Sequence, residues 1–331
     1  MTLAALAAAA VAVAVIAVIY GVGHFADAWS HLHVGWLGVA FAAELLAIPA
    51  YAFAYRELAR FDDGPLLPAV LVARLVMLGF GPLATRGGFA IDRRALGALE
   101  GDAERGSWRV VGLGALEWAL LSPAAWLAAI VLLISGDPRP MPSLLWPWII
   151  LVPVGFGVVL WLAQPGHRDR LCARGGPRRR AVRRGLEGVW LLIPLARRVR
   201  RTWPAWLGAG LYWALEIAVL YSAVRFIGLG ANVGEIVLAF ATGYALTRRS
   251  MPLGGAAITE VLMTFALHWV GQPVAGALAA VVVYRCLNFL LPAIPALVIL
   301  PRIEPLLVAA EEDRVPAPHH RRRAAAPLGQ S

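Results

Sequence analysis

Seven ionisable residues stand inside stretches that are otherwise apolar: Glu44, Glu117, Glu216 and Glu260 on the acidic side, Arg248, Arg249 and Arg285 on the basic side. Close to them the chain carries two pairs of adjacent glycines, Gly87-Gly88 and Gly254-Gly255, the second following Pro252. Glycine has no Cβ to hold a ligand away, and a helix restarting after it presents unpaired N–H groups that favour an anion. Guanidinium groups bind phosphate oxygens in pairs. These residue types predict a phosphate-binding site built from Arg248, Arg249, Arg285 and the amides after Gly255. Arg93 and Arg94, after Gly87-Gly88, are expected to serve the same purpose in the first half. The competing chemistry is internal. A charge at membrane depth costs about 2.5–3.5 kcal/mol on insertion scales and finds a partner, so Arg285 is either a ligand-binding group or the structural partner of Glu260 or Glu216.

The elements that position these residues follow from composition. Of 331 residues, 60% are hydrophobic, and the mean hydropathy is +0.70. Several apolar runs reach the roughly 20 helical residues that cross a bilayer core of about 30 Å. They do not alternate as barrel strands do. The fold class is therefore all-α, a polytopic helical membrane protein. Apolar runs at 3–22, 34–55, 108–134, 144–163, 203–227 and 274–300 predict about six full spans. Short pieces at 66–83, 236–246 and 256–270 fall below that length and flank the glycine pairs.

The basic residues number 30, all of them Arg, for a net charge of +10. Twelve of these arginines lie in 165–202 against two acidic residues. Cytoplasmic loops collect such charge, so this loop, the amino terminus and the tail are expected inside a bacterial inner membrane, and 135–143 outside. Counting crossings from the loop gives the two short hairpins opposite orientations, re-entrant or broken. Order and spacing agree: Gly88 to Glu117 is 29 positions and Gly255 to Arg285 is 30. Residues 34–134 and 203–300 thus read as an inverted repeat in one membrane domain, 1–305, followed by a disordered basic tail, 306–331. Transporters often have this architecture, with binding sites near the midplane. The segment 183–201, "RRGLEGVWLLIPLARRVRR", reads as one helix lying on the inner leaflet.

Other chemistries find little support. Cys172 and Cys286 form no disulfide or metal pattern, and the histidines show no ligand spacing. No nucleotide-binding loop occurs. The arginines sit between apolar spans, which favours lipid headgroups over nucleic acid. No recognisable nucleophile or acid–base pair points to an enzyme, and no cofactor is expected.

The block "MPLGGAAITEVLMTFALHWVGQPVAGALAAVVVYRCLNFLLPAIPALVIL" resembles the closing block of the lysylphosphatidylglycerol synthase transmembrane-region family, the flippase-like domain of the multiple peptide resistance factor. The matching positions are Pro252, Gly254, Gly255, Glu260, Tyr284 and Arg285. "RGGFAIDRRALGALEG", with the later Glu117, resembles the first-half block. Leu253 and Ala257 depart from members that carry further glycine and proline there. The soluble domain that transfers an aminoacyl group from tRNA in full-length synthases has no counterpart in this sequence. The resemblance implies a flippase-like transporter of an anionic phospholipid or a polyprenyl-phosphate-linked glycan, with Glu216, Glu260, Tyr284 and Arg285 near its substrate. The alternative is an accessory subunit that presents lipid to a separately encoded glycosyl- or aminoacyl-transferase. Expected partners are the membrane, an anionic lipid, and a lipid-modifying enzyme or a second copy of the chain.

Overall fold

Runs rich in Ala and Leu lose little rotamer freedom in a helix, and the apolar stretches of this chain fold as helices. The computed structural model describes residues 2–30, 32–80, 87–136, 138–173, 176–244, 255–299 and 301, and no strand occurs among them. In chain order the helices are α1 (Thr2–Tyr20), α2 (Val22–Asp27), α3 (Gly35–Ala59), α4 (Ala69–Gly79), α5 (Gly88–Glu100), α6 (Ala103–Ser135) and α7 (Pro142–Ala163). They continue with α8 (Pro165–Cys172), α9 (Pro177–Trp190), α10 (Leu192–Arg197), α11 (Val199–Phe226), α12 (Val233–Tyr244), α13 (Ile258–Trp269) and α14 (Val274–Arg285). Among the described residues five helices are long and apolar enough to cross a membrane: α3, α6, α7, α11 and the helix that begins as α14 and runs to Ile299. The expected first span, α1, falls among the shorter apolar helices rather than with these five.

Local chemistry sets several ends. Asp102 caps α6 by accepting from the amides of Glu104 (2.8 Å) and Arg105 (3.3 Å), and Gly136 closes it in the left-handed region. Asn232 and Glu235 form a reciprocal box before α12: each side chain accepts from the other's backbone amide, at 2.9 and 3.0 Å.

The central pair is α3 and α11. They approach closely because Gly208 has no side chain: a Cβ there would lie 2.7 Å from the Ala54 nitrogen and 2.9 Å from the Ala50 oxygen. Small residues permit such contact between apolar helices where the hydrophobic effect offers no drive.

Loops join in two sets at the two ends of α3. At its start, the backbone amides of His33 and Met141 donate to the Phe226 (2.9 Å) and Trp269 (2.8 Å) carbonyls, the Gln272 side chain donates through Nε2 to the Gly230 carbonyl (3.0 Å), and Arg139 pairs with buried Glu235 (2.9 Å). At its finish, Arg109 donates to the Leu58 and Phe61 carbonyls and pairs with Glu100, and the Trp108 indole donates to the Glu187 carbonyl (3.1 Å).

One expectation is corrected. Residues 183–201 are not one surface helix but the end of α9, all of α10 and the first residues of α11, with Leu191, Leu192 and Leu195 buried. Gly188 packs onto Val111 and Leu191 onto Gly112 of α6, while Pro194 lacks an amide hydrogen. The segment is thereby drawn into the protein. The span expected at 274–300 is present as Val274–Ile299 and contains a π-helical turn, Cys286–Leu290, after α14.

Candidate functional site

The long helices carry acidic side chains in the interior. Glu44 (α3), Glu117 (α6) and Glu216 (α11) are each 98% or more buried, as is Glu260 in the first turn of α13. Both oxygens of Glu216 are occupied: Tyr284 donates its hydroxyl at 2.8 Å, and the Asn288 amide donates at 2.8 and 2.9 Å. Tyr284 lies in the last turn of α14 and Asn288 in the π turn, so the irregular turn carries one of the donors to the carboxylate.

Successive residues of a helix diverge by about 100°, and Arg285 accordingly serves a different acid from Tyr284. Its Nε donates to Glu260 Oε1 at 2.8 Å, and its guanidinium lies 4.2 Å from the Phe289 ring centroid. Glu260 also benefits from the positive end of α13. The second oxygen, Oε2, has no hydrogen-bond partner among the described residues. Before that helix Gly255 has φ 68° and Ala257 φ 70°. The left-handed region suits glycine and costs a residue with a Cβ about 1–3 kcal/mol. Ala257 therefore holds a strained entry to the helix bearing Glu260.

The first half has its own contacts. The Tyr51 hydroxyl of α3 donates to Glu117 Oε1 at 2.7 Å, and the Trp213 indole of α11 donates to the Glu117 backbone carbonyl at 3.0 Å. Glu44 lies within electrostatic reach of Glu216 across the α3–α11 contact, and its Oε2 has no hydrogen-bond partner among the described residues. Aromatic rings connect the two regions. Tyr51 meets Tyr212 at 4.8 Å, Tyr212 meets Trp213 at 4.8 Å, Trp213 meets Phe240 at 5.7 Å, and Phe240 meets Tyr284 at 6.2 Å.

The structure brings together Glu216, Glu260, Tyr284 and Arg285, with Glu117 joined to them through the aromatic chain. Arg248, Arg249 and Gly254 lie outside the described residues. Gly87 (φ 84°) precedes α5 and Gly88 opens it, buried. Arg93 and Arg94 do not point into this interior. They are exposed on α5, and Arg93 donates to its own Phe89 carbonyl at 3.2 Å. Sequence reasoning missed Tyr51, Trp213 and Asn288, which carry no charge and sit in apolar runs. Among the described residues no three His, Cys, Asp or Glu side chains converge as a metal site.

Chemically, the cluster holds one cation among the described residues, Arg285, beside Glu216 and Glu260, and both acids are already engaged; the other buried arginine, Arg109, pairs with Glu100 at the finish of α3. An anion reaching the guanidinium would meet a group whose Nε is already given to Glu260. No protein-family model and no curated protein matches the chain.

Proposed function

We propose that the chain is a flippase-like transporter of an anionic phospholipid or a polyprenyl-phosphate-linked glycan across a bacterial inner membrane. The observation that carries this reading is the Arg285–Glu260 pair, deep in the protein and beside a strained helix start. Intramembrane ionisable residues mark substrate or ion pathways by default. The phosphate of the lipid competes with Glu260 for Arg285, while Arg248 and Arg249 add charge from the Gly254-Gly255 segment. Glu216, held by Tyr284 and Asn288, keeps the neighbouring helices in register.

Transport needs two alternating faces, and an inverted repeat of 34–134 and 203–300 would supply them. Its support is the order of elements. Each half runs long helix, short helix, glycine pair, short helix, long helix: α3 to α6, then α11 to the helix ending at Ile299. The open end of the α4–α5 hairpin adjoins Arg109 through Glu100, whereas that of α12–α13 adjoins Arg139 and Met141, at the other end of α3. The arginines of 165–202 favour a cytoplasmic position for that segment and for both termini.

The test is reconstitution of the purified chain in vesicles with fluorescent phosphatidylglycerol in the inner leaflet. Faster appearance of the probe outside than in protein-free vesicles is expected. Equal rates across phosphatidylglycerol, phosphatidic acid and a polyprenyl phosphate sink the reading.

A further inference from the structure

Away from the central cluster, α6, α7 and α9 enclose an apolar groove of about 390 Å³. Trp118 and Ser122 line it from α6, Trp148, Gly155 and Val159 from α7, and Val189 from α9. Along α7 the lining extends from Pro147 to Leu160, a length of about 20 Å at 1.5 Å per residue. One leaflet accounts for about 15 Å, half of a core of about 30 Å. The groove therefore has the depth of a single acyl chain. Both long walls belong to helices able to cross a membrane.

The two ends of the groove differ. Ser122, Pro147 and Trp148 form one end. At the other, where α7 finishes at Ala163, Val189 and Leu192 bring in α9 and α10. That end leads into the segment with twelve arginines: going back along α9 from Val189, Arg184 and Arg183 stand five and six positions away, both exposed. A surface of this sign attracts an anionic headgroup. Gly155 keeps the groove wide: a Cβ there would meet nothing within 4 Å.

We infer that this groove retains one anionic phospholipid, its acyl chain between α6 and α7 and its phosphate against the arginines of α9. The site is separate from the Arg285 cluster and does not depend on the transport reading.

The experiment uses the full chain in detergent, exchanged against mixed micelles of phosphatidylglycerol and phosphatidylcholine, with bound lipid counted by native mass spectrometry. The protein should retain phosphatidylglycerol over phosphatidylcholine by about tenfold. Gly155→Phe fills the groove from a position with room and should lower that retention about tenfold. Gly157→Phe, on the same helix, also with open space but not in the lining, should leave it unchanged. Val159→Phe, at a position 39% exposed, narrows the same groove and decides the matter if Gly155→Phe does not fold. Retention unaffected by both groove variants would mean annular lipid only and overturn the proposal. So would equal retention of the two lipids. A dimer that Gly155→Phe dissociates with no change in bound lipid would assign the groove to a second copy of the chain instead.

Discussion

Arg285 and Glu260 hold each other at 2.8 Å with almost wholly buried side chains. Of the two roles that the sequence leaves open for Arg285, this geometry favours the structural partnership in the unliganded protein. Removing one member strands the other without compensation, which typically costs about 3–5 kcal/mol. Arg285→Ala should therefore lower the unfolding temperature in detergent clearly. The double variant Arg285→Ala with Glu260→Ala should recover most of the loss, short of the roughly 0.5–2 kcal/mol of the guanidinium–Phe289 contact. Transport should stay absent in both. An Arg285→Ala protein as stable as the parent would return Arg285 to a purely ligand-binding role. The charged members of this cluster are legible in the sequence because an ionisable residue in an apolar run stands out. Asn288 and Tyr51 are not, since their value lies in partners 72 and 66 positions away. Only the packing of α11, α14, α3 and α6 creates those pairs.

At the scale of elements, the crossing of α3 and α11 brings Glu44 within electrostatic reach of Glu216. Gly208 sits at the contact with the Ala50–Ala54 backbone, whereas Gly210, one turn face away, has nothing within 4 Å of an added Cβ. Gly208→Val should push the helices apart and cost about 1–3 kcal/mol, as overpacking does. Gly210→Ala should be neutral or stabilise by about 0.5–1 kcal/mol, because alanine loses less backbone entropy in a helix. Thermal unfolding of the two variants reads the difference, and equal behaviour would show that the close approach is not sustained by Gly208. The long helices follow the apolar runs closely: the run at 34–55 becomes Gly35–Ala59 and that at 144–163 becomes Pro142–Ala163. Irregular elements escape such reading. The π turn at Cys286–Leu290 lies in an ordinary apolar stretch, and the break between α9 and α10 arises from Leu191 reaching Gly112 of a different helix.

For the whole molecule the open matter is which end of the bundle faces the cytoplasm, and the two sets of joined loops make it testable with few probes. Loop residues 139–141 meet those at 230–235 and 269–272 at one end, whereas 58–61, 100–109 and 187 meet at the other. On the proposed orientation, the arginines of 165–202 put the second end on the cytoplasmic side. A probe must be reachable in the folded protein for its silence to carry meaning. Ser107 fails that requirement, being only 7% exposed, while Ser143 at the start of α7 and Ala103 at the start of α6 are both exposed. With Cys172 and Cys286 replaced by serine, a membrane-impermeant maleimide added to intact cells should modify Ser143→Cys and spare Ala103→Cys. Permeabilised cells should show both modified. The reverse pattern inverts the orientation and with it the cytoplasmic position of the arginines. Modification of both sites in intact cells would be more severe, because α6 could then not separate the two ends, and the opposed hairpins on which alternating access rests would lose their basis.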